Sequence, residues 1–147
     1  MPDKPVLYIE DNYHNRRLVR KILASRGYSV LEAEDGLTGL AMLRELRPPL
    51  LLLDIGLPDI DGLEVVARIR ADAELADTPV IAITASAMRG DRERFLEKGC
   101  DDYLSKPLHA LELIALVERY YRHSDNPPEA GLGDESSGPE PPAEKGI

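Results

Sequence analysis

The sequence predicts an α/β protein built on a five-stranded, doubly wound parallel sheet. Three observations predict it. Short apolar segments alternate five times with segments of helical periodicity, the apolar segments are continuous, and charged residues directly follow several of them. Strands that alternate with helices form a parallel sheet covered on both faces, and burial on both faces requires continuous apolar sequence. Ligands of such sheets bind beyond the carboxyl ends of the strands, so the charged residues mark a candidate site.

The first strand is predicted over Val6–Ile9, where every residue is apolar. A helix follows from about Tyr13 to Arg26, and Gly27 is a typical helix stop. The residues predicted on the apolar side of this helix are Leu18, Val19, Ile22 and Leu23. Their spacing is typical of a helix that packs on one side against a sheet.

A second, weaker strand is predicted over Tyr28–Ala33. Asp35 then favours the start of a second helix as its N-cap, and Pro48-Pro49 ends that helix. The residues predicted on the apolar side of this helix are Leu37, Leu40, Ala41 and Leu46.

The third and fourth strand–helix pairs follow the same pattern. Leu50–Leu53 is predicted as a strand and Gly62–Ala71 as its helix. Pro79 precedes the fourth strand, Val80–Thr84, and the next helix is predicted over about 88–98, with Gly99 as its stop. The four leucines of the third strand predict that it lies in the centre of the sheet, buried on both faces.

The carboxyl-terminal part of the chain holds the fifth pair and then loses its hydrophobic pattern. Asp102–Ser105 is predicted as a strand and Leu108–Tyr121 as a helix. The stripe predicted along this helix consists of Leu111, Ile114, Ala115 and Glu118. Residues 124–147 hold six acids, one lysine and many prolines and glycines. Such a segment buries too little apolar surface to offset its ordering entropy, so we predict one folded domain over 1–123 and a disordered acidic tail over 124–147.

The composition excludes several classes of protein. A net charge of −9 argues against nucleic acid as a partner, because phosphate binding requires a basic surface. Cys100 is the only cysteine, which excludes an internal disulfide framework. The first residues lack the pattern of a signal peptide, and no apolar stretch approaches the length of a membrane span. We therefore expect a cytoplasmic protein with no membrane partner.

Polar residues at four strand ends are predicted to converge on one site: Glu10, Asp11, Asp54, Thr84 and Lys106. Asp54 directly follows the four leucines, and a charge at the tip of a buried strand is costly to desolvate unless it is paired. Carboxylates that crowd together need a proton or a cation among them. An all-oxygen site suits Mg²⁺ far better than Zn²⁺, so the pattern predicts a magnesium site.

The same site predicts phosphoryl chemistry. A carboxylate such as Asp54 can act as a nucleophile and become an aspartyl phosphate. The Thr84 hydroxyl would donate to a phosphoryl oxygen, and Lys106 would supply a point charge. Simpler explanations stay open for single residues: Asp11 or Asn12 could cap the first helix, Thr84 could satisfy its own backbone, and Lys106 could be an ordinary surface lysine.

The loop after the first strand argues against a dinucleotide or flavin cofactor. In nucleotide- and flavin-binding proteins of this architecture, backbone amides of a loop rich in glycine or hydroxyl residues bind phosphate. Here that loop reads Glu10-Asp11-Asn12, and no GxGxxG motif is present. Its acids would repel a bare phosphate, so the site tolerates phosphate only through a metal.

Over roughly residues 4–122 the chain resembles the receiver domain of two-component response regulators. The motifs that carry the resemblance are Glu10-Asp11, Asp54, Pro58, Asp61-Gly62, Thr84-Ala85, Tyr103 and Lys106-Pro107. The resemblance implies a flavodoxin-like (βα)5 fold with strand order 2-1-3-4-5. A chain without an output domain looks most like the single-domain type of this family.

The resemblance also implies a role for each motif residue. Asp54 would accept phosphate from a histidine kinase or a histidine phosphotransfer protein. Mg²⁺ would be held by Glu10, Asp11, Asp54 and the Gly56 carbonyl. Thr84-Ala85 and Lys106 would bind the phosphoryl group, Thr84 and Tyr103 would form a switch pair, and the bond before Pro107 would be cis. Phosphorylation would then reshape the surface of the fourth and fifth helices that binds a downstream protein target.

Two alternatives to such a phosphorylation-controlled binding module stay open. One is a phosphate sink or relay intermediate, which passes phosphate between histidine proteins without an output. The other, less favoured, is a phosphatase of the haloacid-dehalogenase type, which uses a similar set of residues. That family has a second acid two residues after its nucleophile, whereas Asp54 is followed by Ile55-Gly56. We therefore expect a protein that is not an enzyme beyond slow self-dephosphorylation.

Overall fold

A computed structural model describes residues 4–85 and 90–121. Its five strands are β1 (Val6–Ile9), β2 (Val30–Ala33), β3 (Leu51–Asp54), β4 (Val80–Thr84) and β5 (Asp102–Ser105). Its five helices are α1 (Tyr13–Ala24), α2 (Gly36–Leu46), α3 (Gly62–Ala71), α4 (Asp91–Glu97) and α5 (Ala110–Tyr120). The strands form one parallel sheet in the order β2-β1-β3-β4-β5, which confirms the predicted fold class and strand order.

Two predicted segments fall partly or wholly outside the described residues. The helix predicted over about 88–98 is described only from residue 90 onward, where α4 occupies Asp91–Glu97. The predicted acidic tail, 124–147, lies entirely outside. Within the described residues, no helix combines the length and the apolar character that crossing a bilayer would require.

The strand register brings the carboxyl ends of the central strands to one edge. Ile9 pairs with Leu53, Asp54 pairs with Ile83, and Thr84 pairs with Ser105. Glu10 therefore lies at the level of Asp54, Thr84 one residue further along the strand direction, and Lys106 one residue beyond Thr84. This register, rather than any local motif, places the polar strand-end residues side by side.

The leucine run of the central strand is buried on both faces of the sheet. Leu50 and Leu52 belong to a core cluster beneath α1 and α5, whereas Leu51 and Leu53 belong to a second cluster beneath α2, α3 and α4. All four side chains are fully buried. The continuous run is thus needed because successive side chains of a strand point to opposite faces, and both faces are covered.

The faces that the helices bury differ in part from the predicted ones. Four leucines that were expected against the sheet are exposed: Leu18 (45%), Leu37 (53%), Leu46 (45%) and Leu111 (74%). The leucine, isoleucine and valine residues that the three helices bury are Val19, Leu23, Leu40, Leu43, Leu113, Ile114 and Val117. These short helices carry apolar residues on adjacent sides, so their periodicity alone does not decide which side meets the sheet.

In α2 the small residues decide the packing. Gly39 lies against the sheet so closely that a β-carbon there would be 2.2 Å from Cδ1 of Ile9. Because only glycine permits this approach, the Gly39 side of α2 faces β1, and Leu37 is turned outward. Leu40 and Leu43 then fill the space beside Gly39.

Side-chain caps fix the starts of three helices. The side chains of Asn12, Asp35 and Asp61 accept hydrogen bonds from the backbone amides of Asn15, Thr38 and Leu63, respectively. The first of these settles one open alternative, because the cap of α1 is Asn12. Asp11 is therefore not needed as a cap, and its carboxylate lies exposed at the edge of the strand-end cluster.

Arg70 of α3 ties together the opposite, amino-terminal edge of the sheet. Its guanidinium donates to the carbonyls of Ala76, Thr78 and Gly99 and to the Asp101 carboxylate, at 2.7 to 3.0 Å. The same Asp101 oxygen accepts from the amide of Val80, the first residue of β4. One side chain thus joins α3, the segment before β4 and the segment before β5.

Candidate acidic site at the carboxyl ends of the strands

Three carboxylates meet where β1 and β3 end. One oxygen from each of Glu10, Asp11 and Asp54 lies within 4.8 Å of the others. Glu10 is 1% and Asp54 5% exposed, whereas Asp11 is exposed. Carboxylates this close repel one another unless a proton or a cation compensates their charge.

Lys106 is the cation within this group, and it is bound more closely to Glu10 than to Asp54. Its Nζ lies 2.8 Å from Oε1 of Glu10 and 3.5 Å from Oδ2 of Asp54. Its side chain is only 21% exposed, so it is not an ordinary surface lysine. Three further groups donate to Glu10: the Tyr8 hydroxyl, the Asn12 amide and the Asn15 side-chain amide. Glu10 is therefore fully engaged, and Asp54 is left with the weaker contacts.

This asymmetry separates the acidities of the two buried carboxyls. Burial alone would raise the pKa of Glu10, but hydrogen bonds, first of all that from Lys106, lower it to about 2. Burial raises the pKa of Asp54 to about 6, and the hydrogen bond with Glu10 and the charge of Glu10 add to this effect. The pKa of Asp11 is raised by its hydrogen bond with Glu10. Glu10 is therefore held in its ionised form, whereas Asp54 takes up a proton more readily than an aspartate in water does.

The cluster forms the floor of an open cavity of about 840 Å³. Seven of the predicted site residues line it: Glu10, Asp11, Asp54, Gly56, Thr84, Ala85 and Lys106. Tyr103 does not line the cavity; it lies half-buried with its ring 5.4 Å from that of Phe95 on α4. The Lys106-Pro107 peptide bond is cis.

Several residues of the cavity were not predicted. Asp91, Arg94 and Phe95 of α4 form one wall, and Tyr13 and Asn15 of α1 form part of the rim. Only the amino-terminal turn of α1 carried a sequence signal, namely its position directly after the acidic pair. The residues on α4 are brought to the site by the packing of that helix beside β5, which no local pattern indicates.

The turn after Asp54 is held by the hydrogen bonds of Asp59 and by the close packing of Gly62, of which only Gly62 belongs to the motifs. Asp59 accepts hydrogen bonds from the amides of Gly36 and Leu37, both at 2.9 Å, which fastens this turn to the start of α2. These backbone hydrogen bonds, that of Gly36 first, lower the pKa of Asp59. A β-carbon on Gly62 would lie 2.6 Å from Cα of Ile55 and 2.9 Å from the Asp54 carbonyl oxygen. Gly62 is therefore required for the return of the chain past Asp54.

Gly62→Ala should destabilise the protein by roughly 1–3 kcal/mol, because the new methyl group meets backbone atoms of Asp54 and Ile55 that cannot rotate away. Urea denaturation measures this loss. Gly56→Ala is the matched control, since a β-carbon there meets nothing within 4 Å and should change the stability far less. Equal effects of the two substitutions would contradict the steric explanation.

The arrangement is chemically suited to a hard divalent cation. All side-chain ligands that the acidic cluster offers are carboxylate oxygens, and the cavity above them is open enough for waters to complete the coordination shell. A cation there would also compensate the charges of Asp54 and Glu10, whose pKa-raising effect on Asp54 adds to that of burial. The cluster could therefore bind a metal ion next to a carboxylate that is only partly engaged by Lys106.

Known proteins are similar to this chain in both sequence and architecture. A family model described as the response regulator receiver domain matches residues 6–118. The polar-differentiation response regulator DivK of Brucella anthropi is 43% identical over 117 residues, which cover 80% of this chain and 95% of that protein. DivK of Brucella ovis is 42% identical over the same shares.

Solved structures show the same agreement. The receiver domain of the Francisella response regulator 1452 superimposes with a TM-score of 0.75 at 26% identity, covering 81% of this chain and 97% of that one. The Vibrio cholerae chemotaxis protein CheY4 superimposes with a TM-score of 0.73 at 26% identity, covering 80% of this chain and 98% of that one.

Proposed function

The chain belongs to the response regulator receiver domain family, and from this premise we propose that Asp54 accepts a phosphoryl group from a partner phosphohistidine. The partner would be a histidine kinase or a histidine phosphotransfer protein, and the phosphorylated form would bind a downstream protein target in the cytoplasm. The observation that carries the proposal is the position of Asp54, whose carboxylate is buried beside Glu10 and Lys106 yet faces the open cavity. A signalling role without enzymatic turnover is consistent with the family.

Transfer to Asp54 is a substitution at phosphorus. One carboxylate oxygen of Asp54 forms the new P–O bond while the P–N bond to the donor imidazole breaks, and the electron pair of that bond stays on the departing nitrogen. The product is an acyl phosphate, and the freed imidazole takes up a proton. We propose that Glu10, Asp11, Asp54 and the Gly56 carbonyl hold Mg²⁺, which would neutralise the acids and the phosphoryl oxygens when bound.

The remaining cavity residues would stabilise the phosphoryl group. Lys106 lies 3.5 Å from Oδ2 of Asp54 and would move its charge from Glu10 toward the new phosphoryl oxygens. Thr84 and Ala85 line the cavity beside Asp54, where a hydroxyl and a backbone amide would donate hydrogen bonds. Tyr103, packed against Phe95, would respond to a shift of Thr84 and so alter the surface of α4 and β5.

Incubation with acetyl phosphate and Mg²⁺ should add one phosphoryl group per chain, at Asp54. Phosphoramidate, which carries the P–N bond of a phosphohistidine, should act as a donor too. Intact-mass measurement detects the adduct, and cleavage by hydroxylamine identifies it as an acyl phosphate. EDTA should prevent labelling because the acids would then repel the donor. A protein that stays unlabelled with both donors at saturating Mg²⁺ would rule the proposal out.

Two alternative functions can be separated from this one. The phosphatase alternative lacks its second acid, because Gly56 stands at the second position after Asp54 and offers no side chain to the cavity. Sustained turnover of a phosphomonoester such as p-nitrophenyl phosphate would nevertheless revive it. A relay intermediate would pass its phosphoryl group rapidly back to a histidine protein, whereas a messenger would bind its target only when labelled.

A further inference from the structure

We propose that Arg16 is a positioning residue for the metal site: its guanidinium fixes the backbone that carries Glu10 and Asp11, and it thereby sets the affinity for Mg²⁺ without touching the ion. The proposal rests on the proposed function, because it assumes that these acids bind the ion. It adds a residue outside the cavity to the machinery of the site.

The burial of Arg16 requires a reason. Arg16 is 7% exposed and lies on the sheet-facing side of α1 together with Val19 and Leu23. Its neighbours on the same helix, Arg17 and Arg20, are exposed. Removing a guanidinium from water is costly unless strong hydrogen bonds replace the lost hydration. The contacts of Arg16 therefore show what its burial accomplishes.

Those contacts lead directly to the acidic loop. Nη1 of Arg16 donates to the carbonyl oxygens of both Glu10, at 2.8 Å, and Asp11, at 3.0 Å. Two successive carbonyls that converge on one donor fix the orientation of the peptide planes between them. The directions in which the Glu10 and Asp11 side chains leave the backbone are then fixed as well. Groups that orient metal ligands in this way contribute to affinity although they do not bind the ion.

The other side of the guanidinium is fixed by Glu32 on β2. Nε of Arg16 donates to Oε1 of Glu32 at 3.0 Å, and the second oxygen of Glu32 pairs with Arg20 at 3.2 Å. Arg16 thus bridges β2 and the loop after β1. Arg20 shares Glu32 with Arg16, but its own side chain is 63% exposed. It is therefore a natural control for the loss of one positive charge and one ion pair.

The planar fork of arginine suits this role better than lysine does. Arg16 uses two of its nitrogens in different directions, one toward Glu32 and one toward the loop carbonyls. A lysine ammonium is a single point charge on a flexible chain and cannot hold both sides in the same geometry. The identity of the residue, and not only its charge, should therefore matter.

Mg²⁺ titrations by calorimetry on the full chain test the proposal. Arg16→Met should weaken Mg²⁺ binding by about tenfold, as expected for the loss of a group that orients the ligands. Arg16→Lys should fall between Arg16→Met and the unmodified protein. Arg20→Met should stay within about twofold of the unmodified protein, because Arg20 lacks the loop contacts.

The rate of labelling by acetyl phosphate, measured against Mg²⁺ concentration, separates positioning from a general loss of structure. The Arg16 variants should need more Mg²⁺ for half-maximal labelling yet reach a rate near that of the unmodified protein at saturation. Unchanged Mg²⁺ affinity in Arg16→Met, or an equal loss in Arg20→Met, would overturn the proposal. If Arg16→Met does not fold, the same comparison of Arg16→Lys with Arg20→Lys decides it. Failure of the unmodified protein to bind Mg²⁺ would instead refute the proposed function, and the role of Arg16 with it.

Discussion

Asp54→Asn is expected to abolish phosphoryl labelling completely and, at the same time, to make the metal-free protein more stable. The loss follows because an amide is not a nucleophile toward phosphorus. The gain follows because burial deprives the Asp54 carboxylate of water and Glu10 repels it, and both costs disappear with its charge. We expect a gain of roughly 1–2 kcal/mol at pH 8, since the open mouth of the cavity screens part of the repulsion.

The gain should depend on pH in a defined window. The pKa of Asp54 is raised by burial and by Glu10 from 3.8 in the unfolded chain to about 6 in the folded protein. The protonated carboxyl is therefore favoured by folding, and its contribution is fully present below pH 3.8 and lost as the pH rises through about 6. Asp54→Asn should accordingly match the unmodified protein near the lower limit and exceed it above the upper one.

Urea denaturation across this pH range, in EDTA, measures the difference. Asp77→Asn is the matched control, because Asp77 is an exposed carboxylate outside the cluster. The free energy of unfolding of this variant should equal that of the unmodified protein across the pH range. Mg²⁺ should raise the melting temperature of the unmodified protein more than that of Asp54→Asn, since ion binding stabilises the folded state. A variant that is destabilised at pH 8, or that is still labelled, would contradict the assigned charge state and role of Asp54.

Lys106→Met is expected to cause the largest loss of stability among single substitutions in the site. Lys106 pairs with both Glu10 and Asp54, and the side chains of both acids are more deeply buried than that of Lys106. Its removal leaves buried negative charge without a counter-charge. We expect a loss of roughly 2–3 kcal/mol at pH 8 without metal, below the value for a fully buried pair because the lysine is partly exposed. Labelling at saturating Mg²⁺ should fall about 100-fold, since one charge that stabilises the transferring group is lost.

Conditions that remove the excess negative charge should restore the stability of Lys106→Met. Mg²⁺ would supply a counter-charge, and protonation of Asp54 in acid would remove one of the charges. The double variant Asp54→Asn/Lys106→Met should lose much less than the single one, which a double-mutant cycle reveals as coupling between the two sites. Lys98→Met, at an exposed lysine after α4, is the control for loss of a positive charge alone. A loss of stability that neither Mg²⁺ nor acid relieves would show that packing, rather than charge, is the cause.

The strands and the acidic cluster were predictable because each follows from one strong rule. Four consecutive leucines within a pattern of alternating strands and helices favour a strand buried on both faces, and Asp54 comes directly after them. In a parallel sheet the carboxyl ends of the strands lie along one edge, so the sequence alone predicts that Glu10 and Lys106 lie near Asp54. What the rule does not decide is which acid the lysine prefers, because that depends on a difference of less than 1 Å between 2.8 and 3.5 Å.

The helix faces and the outer parts of the site depend on tertiary packing. Leu111 and Leu113 are equally apolar, but Leu113 is buried and Leu111 is exposed. The difference arises from the side of α5 that packs against the sheet. Arg16 reads in sequence as one of several basic residues on α1, and its burial is apparent only once β2 places Glu32 beside it. Arg94 lines the cavity because α4, which carries it, packs beside the site. Residues of this kind carry no local signature, since their partners are distant in sequence.

The network around Arg70 gives the domain two ends of opposite character. At the amino-terminal edge, the Arg70 guanidinium donates to three backbone carbonyls and a carboxylate. These hydrogen bonds join the segments that precede β4 and β5, and they do not involve the acidic cluster at the other edge. We therefore expect a rearrangement at Asp54 to reach the turns after the strands and α4, which lines the same cavity, before it reaches the amino-terminal edge.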